Sequence, residues 1–127
     1  MLKTIDIGDK QMVLQSSAAT PIIYKAQFHN DFFSDLVKMA GTFDSLGSSE
    51  DVKVSDLDPD KIDMGVIYNI VWALAKNANH DIGEPITYFA QFEEMPLKEV
   101  GAAISELTQR MFKTAKKSTA LTSLTNK

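Results

Sequence analysis

The chain has 127 residues, 44% hydrophobic and 24% charged, with a net charge of −4, enough to bury a core without cross-links. Of its basic residues only Arg110 is an arginine, so the forked guanidinium groups that read phosphates and guanine edges are nearly missing, which disfavours a nucleic-acid reader. Cysteine is absent, which excludes disulfides, thiolate metal sites, iron–sulfur clusters and cysteine nucleophiles.

From the N-terminus, Leu2 to Ile7 alternates apolar and polar residues, Gly8-Asp9-Lys10 signals a turn, and Gln11 to Gln15 reads as a second strand. This predicts a β-hairpin over residues 1–17. Asp6 interrupts the apolar run a signal peptide requires, and no segment approaches the ~20 apolar residues of a membrane span. A cytoplasmic protein without membrane contact is expected.

Residues 16–32 form an ordered junction between the hairpin and a helix over about 30–41. Asn30 is its expected N-cap, Asp31 suits the positive helix start, and Gly41 is the expected stop. Phe32, Phe33, Leu36, Val37 and Ala40 fall at spacings of three and four and form one apolar face. Residues 42–55, small and polar, read as a surface loop.

A second helix is expected over 59–77, capped by Asp58 with Pro59 at its first position. Its apolar residues cover most of its circumference, with only Lys61, Asn69 and Lys76 as a wet stripe, so it is the core helix or lies between the fold and a partner. After the connector His80–Pro85, a short helix is expected over 85–94 with Ile86, Phe89 and Phe92 facing inward, and Met95-Pro96 breaks it. The last helix, 97–115, carries Leu97, Val100, Ile104, Leu107 and Met111 at coiled-coil-like spacing, and Gly101, Ala102 and Ala103 invite a close neighbour. Residues 116–127 lack a sustained pattern and read as a disordered tail. The sum is a mainly α chain with a small N-terminal β-hairpin, an α+β domain of about four helices spanning 1–115.

Catalytic and metal motifs fail on spacing. Asp56, Asp58 and Asp60 open like a calcium loop, but Lys61 and Ile67 stand where glycine and glutamate are needed. His29 and His80 each neighbour an aspartate but do not form the pair on one helical turn of a zinc helix. Ser16-Ser17 and Ser48-Ser49 lack a nucleophile elbow, and Glu93-Glu94 point apart on a helix. A chain with no catalytic residues, cofactor or metal is expected. Seven phenylalanines and six methionines, however, are a surplus for one small core, and such surfaces adapt to apolar partners. Phe32, Phe33, Tyr68, Trp72, Phe89 and Phe92 are the candidates for a partner groove.

The junction Thr20, Pro21, Tyr24, Phe28 and Asp31 resembles the tail assembly chaperones of long-tailed phages and prophages of Gram-positive bacteria. In that family a hairpin leads to Thr-Pro, then a tyrosine, a phenylalanine and an acidic residue opening a helix. The aromatic-rich run Pro85 to Glu93 is a second match, and the likeness covers nearly residues 1–115. The chain departs from the pattern at Ala18-Ala19 and His29-Asn30, where glycine is expected. The resemblance implies a protein in the cytoplasm of the host bacterium that binds the unassembled tape measure protein and keeps it soluble. It also implies a longer frameshifted product that recruits the tail tube protein; Lys116-Lys117 lies where a slippery run of codons could fall.

The alternative is a small prophage DNA-binding regulator or antitoxin. Against it, the final helix has only Lys98, Arg110 and Lys113, offset by Glu99 and Glu106. Weak homo-oligomers are expected, because the hairpin edge, the helix 59–77 and the patch Gly101-Ala102-Ala103 offer three adhesive surfaces.

Overall fold

The chain begins as the alternation requires. In a computed structural model that describes residues 1–46, 63–109 and 111, β1 (Leu2–Ile7) pairs antiparallel with β2 (Lys10–Gln15) in the register Leu2↔Gln15 to Ile7↔Lys10. The two-residue turn is possible because Gly8 takes a φ of 63°, a conformation that costs glycine little. Ile5, Ile7, Met12 and Leu14 point to one face and are buried, while Leu2, Thr4, Asp6 and Gln11 face solvent. A hairpin alone is marginal in water; here its buried face rests on the helices.

The junction is itself a helix, which its short apolar run concealed. α1 (Thr20–Phe28) follows a turn in which the Ser17 N–H donates to the Thr20 hydroxyl at 3.1 Å, with Pro21 in its first turn. It ends at His29, whose φ of 61° is left-handed and whose N–H donates to the Lys25 carbonyl. Asn30 is therefore not the next cap. Asp31 is: its Oδ2 accepts from the Ser34 N–H at 2.8 Å and opens α2 (Phe32–Leu46).

Gly41 does not stop α2, and Thr42 to Leu46 is helix rather than loop. Glycine ends a helix by turning left-handed, and Gly41 keeps a negative φ. Thr42 beyond it is buried: its hydroxyl donates to the Lys38 carbonyl at 3.2 Å and accepts the Asp63 N–H at 3.0 Å. The rest of the expected loop, and the Asp58-Pro59 start, lie outside the described residues.

α3 (Met64–Ala78) starts later than the sequence suggests, because Asp63 provides its cap, accepting from the Val66 N–H at 3.2 Å. From Val66 to Ala75 only Tyr68 and Asn69 escape burial. α3 packs against β2, α1, α2 and α4, so it is the central helix expected of an element apolar nearly all round. At its C-terminal end Asn77 donates to the Gln15 carbonyl at 3.0 Å and accepts from the Ser17 hydroxyl at 3.0 Å, tying helix to hairpin.

α4 (Pro85–Ala90) is shorter than the expected 85–94. The Gln91 side chain donates to the Tyr88 carbonyl at 3.0 Å, and the Phe92 N–H turns to the Phe89 carbonyl at 3.1 Å, which tightens and ends the helix. Ile86 faces solvent instead of the core, and Tyr88 is the buried residue. α5 runs from 97 through 109, burying Val100, Ala103, Ile104 and Leu107; the expected extension to 115 and the tail 116–127 lie outside the described residues. The close neighbour at Gly101 is a ring, not a backbone: a Cβ there would meet Phe43 Cε1 at 2.9 Å. Among the described residues one core joins the hairpin to five helices, the mainly helical α+β fold that the sequence implies.

Candidate functional site

The six aromatic residues singled out from the sequence do not form one groove. Among the described residues their ring contacts fall into two clusters. The first runs from Trp72 through Phe28 (5.6 Å between centroids) and Tyr24 (5.0 Å) to Phe32 (5.4 Å) and Phe33 (5.6 Å). The second joins Tyr68 to Phe89 (4.9 Å), Phe89 to Tyr88 (5.2 Å) and Tyr88 to Phe92 (5.3 Å). Most are tilted or edge-to-face, as ring quadrupoles prefer.

Phe32 and Trp72 are core. Phe32 shares its side of α2 with Leu36 and Met39, a buried stripe, and the Trp72 indole N–H donates to the Gly83 carbonyl at 3.1 Å, pinning the α3–α4 connector. Neither can touch a partner without unfolding. Tyr68, Phe89 and Phe92 are half-buried against the core. Of the six, Phe33, 42% exposed, is the one that reaches the surface, with its ring packed edge-on against Phe32.

The outward side of α2 continues from Phe33 through Val37, 74% exposed, to the exposed Ala40 and Gly41. These positions recur at three- and four-residue spacing, so they form one ridge of an α-helix. Gly41 has open space where a side chain would stand. Ile86 on α4, 85% exposed, and Ile22 on α1 add further large apolar side chains in solvent. The sequence groups Val37 and Ala40 with Phe32 on one apolar face, and the structure splits that face into a buried and an exposed row. The available signal was the width of that face: Phe32–Leu36–Met39 already fills one stripe, and Phe33–Val37–Ala40 is the next row around the helix.

Beneath the ridge lies a polar brace. The Tyr24 hydroxyl donates to Oδ2 of Asp35, a carboxylate on a residue only 2% exposed, and Lys38 Nζ stands 3.7 Å from Oδ1. Burial, then the hydrogen bond and charge of Asp35, push the Tyr24 hydroxyl well above the ordinary tyrosine range. Burial alone pushes Tyr88 up to about 12. The brace therefore holds a protonated phenol against a carboxylate and locks α1 to α2. Tyr24 is fully buried, so a substrate has no approach to this pair in the folded chain.

No group of three or more metal-ligating side chains gathers among the described residues. His29 and His80 are exposed, at the end of α1 and in the α3–α4 connector; Asp56, Asp58 and Asp60 lie outside the described residues. Among the described residues no helix is long and apolar enough to cross a membrane.

No protein-family model, curated protein or solved structure matches the chain. The functional reading therefore rests on the residues. The five that carry the resemblance build the α1–α2 corner: Thr20 and Pro21 start α1, Tyr24 and Phe28 fill the ring cluster, and Asp31 caps α2. The corner is what holds the ridge out.

Proposed function

We propose that this chain is a non-catalytic binding module, a tail assembly chaperone that covers the apolar stripe of an unassembled tape measure protein. The observation that carries the reading is the uncharged ridge Phe33–Val37–Ala40–Gly41 on the outward side of α2. A long amphipathic helix with an unburied face self-associates, and a short apolar ridge ending in small residues lets such a helix pack closely alongside. The resemblance at Thr20, Pro21, Tyr24, Phe28 and Asp31 supports the same reading and extends it to a frameshifted product that recruits the tail tube protein. The sealing of Tyr24 and Asp35 in the core also fits a binding role better than catalysis.

The test is coexpression with a helical fragment of the tape measure protein encoded beside this chain. The fragment is expected to move into the soluble fraction and to copurify with the chain. A fragment that stays insoluble with the chain present in excess overturns the proposal.

A further inference from the structure

We draw no further inference here: the strongest candidate, the outward edge of β1 in the N-terminal hairpin, offers backbone groups that a strand of any sequence pairs equally well, and nothing in the structure shows what covers it.

Discussion

Replacing Tyr24 by phenylalanine removes one oxygen and leaves the ring packing intact. The ring keeps its contacts with Phe28 and Phe32, while Asp35 loses the hydroxyl that donates to it. What remains near the carboxylate is Lys38 Nζ at 3.7 Å, from a lysine whose side chain is largely solvated, worth ~0–1 kcal/mol at such exposure. A hydrogen bond to a charged group contributes ~1.5–3 kcal/mol, and a buried charge left short of a donor costs in that range. Tyr24→Phe should therefore destabilise by ~2 kcal/mol. Interpolating for a domain of this size gives a fall in Tm of ~6–10 °C. Asp35→Ala removes the acceptor of the Tyr24 hydroxyl, which keeps only its hydrogen bond with the Asn69 side chain, and should cost a similar amount. The double variant strands neither, so its cost should fall short of the sum by ~1–2 kcal/mol. Urea unfolding of the four proteins gives the cycle. A Tyr24→Phe variant as stable as wild type, or strictly additive effects, would refute the view that this pair braces the α1–α2 corner.

Alkaline pH should weaken the fold through its buried phenols. Tyr88 rises from an ordinary 10.0 to about 12 and Tyr24 rises further, so the unfolded chain gives up these protons first. Their contribution is complete below pH 10 and is lost as pH climbs toward 12 and beyond; urea midpoints that hold constant from pH 9 to 12 would contradict this. Phe32→Ala and Val37→Asp should separate core from surface: the first costs ~3–5 kcal/mol, the second stays within about 0.5 kcal/mol, both read from thermal melts. Gly101→Leu forces the Phe43 ring aside and should cost ~1–3 kcal/mol, measured by the same melts.

Much of the architecture was legible because it depends on local rules. The hairpin followed from alternation and Gly8, and the central helix from its apolar girth. α1 was hidden because its inward side chains are few: only Thr20 and Tyr24 are buried, too little periodicity to stand out in nine residues. The stop at Gly41 was misread because tertiary contacts decide whether a glycine ends a helix, and those of Thr42 and Phe43 carry α2 onward. Ile86 and Tyr88 exchanged roles because a six-residue helix has too few turns for spacing to fix its face. The candidate site suffered from the same limit. Counting aromatics found the surplus, but Phe32 and Trp72 were taken up by the core, and the exposed ridge needed Val37, Ala40 and Gly41, which composition does not distinguish from core.

The ridge is tested most directly by titrating a labelled tape measure helix with folded variants of the chain. Val37→Asp is the decisive substitution, since burying one aliphatic side chain contributes ~1.5–3 kcal/mol, or ~10–100-fold in Kd. The account predicts a loss of that size for Val37→Asp with an unchanged Tm, and wild-type affinity for a control charge at the exposed Gln27 of α1. Equal affinity for wild type and Val37→Asp would contradict it.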